Sequence, residues 1–279
     1  MRHQILPVQI PGEEQEGTLY TYLWSKSEEL ALGKKRPLIL MCPGGGYRRT
    51  SDREAEPMAL TFMGMGYHVA VLRYSCGENI HYPIALMQLA KAVCMVREHA
   101  REWGVISDKI IIQGCSAGGH LAASLGVFWK QREELWRSLN ATAEDVRPNG
   151  LLLSYPVISS GEFAHKPSFE RLLGAAYERE KDAQSLEKYV TSQVPPTFLW
   201  HTLTDPTVPV ENSLLFLSAL HNHKIPVEFH LYPEGGHGLA LASRLTMASE
   251  GAGIQPACES WIYLAKTWLT RYFPWDQEQ

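Results

Sequence analysis

Four short stretches of this chain carry residues whose types and spacing suit one chemistry. Ser116 stands in Gly114-Cys115-Ser116-Ala117-Gly118, directly after the β-branched run Ile110-Ile111-Ile112 and ahead of a segment that suits a helix. A Gly-x-Ser-x-Gly turn between a strand and a helix puts a serine hydroxyl on a sharp, strained corner, and the flanking glycines remove side-chain bulk. The helix N-terminus then offers free N–H groups to a developing negative charge. Such a pentapeptide also occurs by chance, and here the strand before it and the helix after it give it context. Cys115 is a rival nucleophile, but nothing near it in sequence would activate the thiol. It reads as a small buried residue.

Gly44-Gly45-Gly46 follows another apolar run, Pro37 to Cys42. Three glycines can form a flexible turn, cradle a phosphate, or bring backbone N–H groups close to a ligand. A phosphate cradle fails, because no Gly-Lys-Ser/Thr follows and dinucleotide spacing is absent. The third use, an oxyanion loop, fits a chain that also holds the Ser116 turn. Asp205 lies just past the run Thr197 to Thr202, where parallel sheets present their sites. Asp-Pro is also a good turn start, so Asp205 could merely cap a turn. Glu211 and Glu234 are weaker acid candidates. His237 sits in Gly235-Gly236-His237-Gly238 after the last strand-like run, and the order Ser, Asp, His is that of one known triad arrangement.

The elements around these residues read as alternating strands and helices. Expected strands are Gln4 to Ile10 (an edge strand interrupted by Pro7), Thr18 to Trp24, Pro37 to Cys42, Tyr67 to Tyr74, the Ile110 run, Gly150 to Pro156, Thr197 to Thr202 and Val227 to Tyr232. Expected helices are Glu54 to Met65, Pro83 to about His99, the segment after Ser116, Glu211 to His221 and Trp261 to Tyr272, with Trp129 to Val146 moderately helical. Residues 26 to 35 read as a polar loop. Val157 to Pro196 is a long mixed insertion whose Phe163, His165, Phe169 and Tyr177 could line a pocket or pack the insertion down. His165 is too far from the other motifs in sequence to be favoured as a base. His120 follows the Ser116 turn and reads as a packing or hydrogen-bonding residue, and His68 as a strand residue.

Composition bounds the function. A 279-residue chain can bury a large core, and a net charge of −4 with no dense Lys/Arg block argues against nucleic acid or an anionic membrane as partner. Five cysteines at 42, 76, 94, 115 and 258 are odd in number and lack metal-ligand spacing. With no signal-like start and no membrane-length apolar run, a cytoplasmic setting is expected.

Cys42-Pro43-Gly44-Gly45-Gly46-Tyr47, Gly114 to Ala122, Asp205-Pro206-Thr207-Val208-Pro209 and Gly235-Gly236-His237-Gly238-Leu239 together resemble the α/β-hydrolase-fold serine esterases. More narrowly, the chain is similar to compact bacterial acetyl esterases and lipase/carboxylesterases, including xylan-esterase-like and feruloyl-esterase-like relatives. The resemblance covers nearly the whole chain. It departs at Pro43, where the HGGG element of the family has histidine. It implies one domain over 1–279, with a mostly parallel eight-stranded sheet flanked by helices and an insertion at 157–196 after the sixth strand. It implies a Ser116–His237–Asp205 triad, an oxyanion hole from Gly44 or Gly45 and Ala117, and no metal or organic cofactor. The expected substrate is a small-molecule ester with a short acyl group, acetyl above all, on a polar alcohol such as a sugar. Tyr47 and Arg48 are expected to touch the alcohol side. The same triad would serve an amidase, an arylformamidase-like or an aminopeptidase-like enzyme. A ligand receptor on this fold would have lost a triad residue, and a lipase would need a less polar lid than 157–196.

Overall fold

The computed structural model describes residues 1–29 and 35–275. The polar 26–35 loop therefore falls partly outside the described residues. Eight strands form one sheet: β1 (Arg2–Val8), β2 (Gly17–Leu23), β3 (Arg36–Cys42), β4 (His68–Arg73), β5 (Val105–Cys115), β6 (Gly150–Ser154), β7 (Thr197–Thr202) and β8 (Val227–Tyr232). Their order is β1-β2-β4-β3-β5-β6-β7-β8. β2 pairs antiparallel with both β1 and β4, and every other neighbouring pair is parallel. The edge strand β1 runs through Pro7, which lies opposite Thr18, rather than being interrupted by it. An edge position tolerates a missing N–H donor.

Successive side chains of a strand point to opposite faces, and both faces of the parallel strands are covered. Ile110, Ile112, Leu151, Leu153 and Leu199 pack on one face with the helices Ile84–Glu98, Ala117–Phe128 and Glu211–Asn222. Ile111, Leu152, Phe198 and Trp200 pack on the other with the helices Glu56–Gly64 and Trp261–Tyr272. Each fully buried aliphatic side chain contributes about 1.5–3 kcal/mol by its removal from water. β3, β6 and β7 are buried along their whole length, which is why they read as nearly continuous apolar runs, whereas the edge strand β8 alternates and is only partly covered.

The expected 54–65 helix begins at Glu56, which leaves Glu54 outside it. The 129–146 stretch holds only two short helices, Glu133–Arg137 and Ala143–Val146, the second closed by a Thr142–Asp145 capping box. The 157–196 segment bridges β6 and β7 and carries the helix Lys166–Leu173. Its aromatic residues divide between the two expected uses. Phe169 is buried edge-on against His120 at a centroid distance of 5.1 Å, and Tyr177 packs against the core. His165 faces the cleft over Ser116. Among the described residues, no helix is long and apolar enough to cross a membrane.

Candidate active site

Ser116 joins β5 to the helix Ala117–Phe128 with φ 54° and ψ −120°, a region costly for a residue with a Cβ. Two close approaches hold it there. A Cβ on Gly114 would lie 2.3 Å from the Gly118 carbonyl oxygen, and one on Gly118 would lie 2.0 Å from that of Cys42. Only glycine at both positions lets the turn close against β3. The Ser116 N–H donates to the Ser154 carbonyl at 3.0 Å, and its own carbonyl accepts from Val157 and His120. The strained residue is thus clamped by the neighbouring strand. Cys115 is fully buried, and burial pushes its thiol well above the usual range.

The structure brings Ser116, His237 and Asp205 together from three separate loops. His237 Nε2 lies 2.7 Å from Ser116 Oγ, and His237 Nδ1 lies 2.7 Å from Asp205 Oδ2. The carboxylate can only accept, so Nδ1 carries the proton and Nε2 is left to accept from the serine hydroxyl. Asp205 is held on every side. Oδ1 accepts from the N–H groups of Thr207 and Val208 at 2.9 and 3.0 Å. Oδ2 also meets His201 Nε2 at 3.2 Å. His201 Nε2 faces a carboxylate and the Val208 carbonyl, both acceptors, so it bears a proton and leaves Nδ1 to accept from Ser213 Oγ at 2.7 Å. Burial alone would raise the Asp205 carboxyl, but the hydrogen bonds from His201, His237 and Val208 outweigh it and hold it well below the usual carboxylate range. Neither Glu211 nor Glu234 bonds His237.

The glycine loop is braced without the histidine that Pro43 replaces. Tyr74 donates its hydroxyl to the Pro43 carbonyl at 2.7 Å, and the Ser51 N–H donates to the Gly44 carbonyl at 2.8 Å. Gly44, expected as an oxyanion donor, is committed elsewhere. Its N–H donates to Glu54 Oε2 at 2.7 Å. The N–H groups of Gly45 and Ala117 have no protein acceptor among the described residues, and these two are the donors left for an oxyanion. Glu54 is buried and spans two loops. Its Oε1 accepts from Tyr155 Oη at 2.8 Å, and Tyr155 Oη accepts from the Ala240 N–H at 2.9 Å. The Tyr155 ring stands edge-on to His237, centroids 5.2 Å apart. One carboxylate therefore ties the glycine loop to the loop that carries His237.

Glu54, Tyr155 and His201 escaped the sequence reading. The spacing His201-x-x-x-Asp205 was the one visible signal, while Glu54 and Tyr155 meet across 101 positions. Tyr47 is placed differently from expectation. It is buried, and its hydroxyl lies 2.9 Å from His120 Nδ1, so it supports the site from below and does not line the cleft. His120 is itself enclosed, with Nε2 donating to the Gln184 carbonyl. Burial pushes its imidazole down to about 4. Arg48 does line the cleft, a cavity of about 380 Å³ over Ser116 and His237 whose walls also include Arg49, Arg53, His165 and Arg171.

Sheet order, strained serine turn and relay geometry define an α/β hydrolase. Residues 29–220 match the BD-FAE family, and the chain belongs to that family, α/β-hydrolase serine esterases of the acetyl- and xylan-esterase type. It is 38% identical over 215 residues to endo-1,4-beta-xylanase B of Butyrivibrio fibrisolvens, covering 75% of this chain and 33% of that protein. It is 29% identical to an acetylxylan esterase of Xylanibacter ruminicola, over 74% of this chain and 41% of the relative. The chain thus spans about a third to two fifths of the length of these two relatives. The crystal structure of an acetyl ester-xyloside bifunctional hydrolase from Caldicellulosiruptor lactoaceticus superposes with a TM-score of 0.80 at 32% identity. It covers 97% of this chain and 96% of its own.

Proposed function

We propose that this chain hydrolyses carboxylic esters of short acyl groups, acetyl foremost, through an acyl-enzyme on Ser116. The observation that carries the reading is the continuous relay from Ser116 Oγ through His237 to Asp205, with 2.7 Å at both contacts. Ser116 Oγ attacks the ester carbonyl while His237 Nε2 takes its proton. Asp205 keeps His237 in the Nδ1–H tautomer and stabilises the imidazolium. The oxyanion is held by the N–H groups of Ala117 and Gly45, each such donor being worth about 3 kcal/mol in the transition state. The tetrahedral species collapses, the alkoxide leaves with the proton from His237, and water repeats the sequence to release the acid. Names of the relatives point to acetylated xylo-oligosaccharides as first natural substrates to try. Five free cysteines support a reducing compartment such as the cytoplasm.

The test is hydrolysis of p-nitrophenyl esters from acetate to octanoate by the wild type beside Ser116→Ala. Serine-dependent rates that fall steeply with acyl length are expected. Rates that peak at the longer acyl chains would contradict the short-acyl assignment.

A further inference from the structure

The cleft is far more basic than the chain around it. Arg48, Arg49, Arg53 and Arg171 line it with His165, and among the described residues the one carboxylate that lines it is Glu54. Glu54 offers those arginines little, because its two oxygens already accept from Gly44 and Tyr155. None of the four guanidinium groups forms an ion pair among the described residues. Elsewhere on this chain of net charge −4, Arg73 pairs with Asp52, Arg137 with Glu133, Arg147 with Glu144 and Arg179 with Glu180, while the exposed Arg101, Arg244 and Arg271 lie scattered with no ion pair among the described residues. What sets the cleft apart is that four guanidinium groups converge on one concavity beside Ser116.

Two of them are fixed by backbone. Arg53 Nε donates to the Thr246 carbonyl at 2.6 Å, while its Nη2 is buried without a partner. Arg171 Nη1 donates to the Gly46 carbonyl at 3.2 Å, which places a positive charge beside the glycine loop. Arg48 and Arg49 are exposed. A guanidinium presents a planar fork of donors that matches carboxylate and phosphate oxygens. A cluster of like charge in a concave site also concentrates ligands of the opposite sign.

We propose that the cleft selects esters whose alcohol part carries an anionic group, a carboxylate or a phosphate, held by Arg48 and Arg171. This rests on the short-acyl reading above, since a short acyl group leaves the alcohol as the part long enough to meet the arginines. An acylated acidic sugar has the required chemistry. The neutral face of a plain xylo-oligosaccharide would leave the guanidinium groups unused.

Binding and turnover test this separately. Ser116→Ala protein is titrated calorimetrically with 4-acetoxybenzoate and with the isosteric 4-acetoxybenzamide, and 4-acetoxyphenyl phosphate serves as the phosphate arm. The anions are expected to bind about tenfold or more tightly than the amide, the worth of one charge-assisted hydrogen bond. The better of the two anions names the natural group. The preference is expected to shrink as NaCl rises from about 0.02 to about 0.5 M, and to approach unity in Ser116→Ala carrying Arg48→Gln and Arg171→Gln. Equal binding of acid and amide, or a preference indifferent to both salt and the arginine substitutions, overturns the proposal. The salt series needs no arginine variant to fold. Wild-type turnover of the same esters reports on the esterase reading alone: anion preference in binding without Ser116-dependent turnover would sink that reading and leave the anion site standing.

Discussion

The two walls of the cleft are built on opposite principles. On the wall of Asp205, His237, Tyr155 and Glu54, each of these polar groups has a protein partner at 2.7–3.2 Å, and Asp205, Tyr155 and Glu54 are buried. On the wall of Arg48, Arg49 and Arg171, guanidinium charges line the cleft with few or no protein partners among the described residues. A buried network that is fully satisfied fixes geometry to fractions of an ångström, which proton transfer demands. Exposed charges on flexible stems tolerate varied ligands and can change without disturbing the core. On the function proposed above, the difference separates the wall that would perform the reaction from the wall that would choose what enters.

The comparison breaks most sharply at the relay. Ser116→Ala is expected to lower kcat for p-nitrophenyl acetate about 10⁶-fold with an unchanged thermal melt. Asp205→Asn, which frees His237 to take the wrong tautomer, is expected to lower it about 10⁴-fold. Asp205→Asn should also change acid stability. The native carboxyl is depressed, so its contribution is present above the ordinary carboxylate range and is lost as pH falls through it. Urea midpoints measured from pH 6 to pH 2 should therefore flatten in the variant at the acid end.

A smaller effect is expected at the joint between the walls. Glu54→Gln replaces an acceptor of two hydrogen bonds with an amide that must turn a donor toward Gly44 or Tyr155. Loss of kcat by about 10–10³-fold with little change in KM is expected, since Gly45 would move with the loop. A KM effect alone would show that Glu54 shapes binding and not the oxyanion hole.

The smallest effect lies away from the reacting atoms. His68 and His120 are both buried and pushed down to about 4 by burial. The unfolded chain therefore binds about two more protons than the native one between about pH 6.5 and 4, so stability rises with pH across that window and is lost as the pH drops through it. His120→Gln should remove about one of those protons, seen as a shallower loss of unfolding free energy as pH is lowered from about 6.5 to 4. An unchanged slope would mean that His120 is already charged in the native state.

Local pattern made much of this visible in the sequence, and long-range contact hid the rest. The central strands are apolar runs because both faces of the sheet are covered there, so Ile110 to Ile112 and Gly150 to Ser154 announced themselves. Ser116, Asp205 and His237 stand at the ends of such runs, among glycines and prolines. Glu54 looked like the first residue of a helix, and only the folded loop shows that it reaches Gly44 and Tyr155. Gly44 looked like a donor to substrate for the same reason, because no local feature reveals that its N–H is taken. Tyr47 next to a glycine loop suggested a ligand contact, whereas burial against His120 turns it inward.

Covalent labelling tests the central claim most directly. Wild-type protein treated with a fluorophosphonate and digested is expected to carry one adduct, on the Ser116 peptide. Labelling should be absent in Ser116→Ala and much slower in His237→Ala. An adduct that persists in Ser116→Ala, or one that maps to another residue, would contradict the assignment of Ser116 as the nucleophile and His237 as its base.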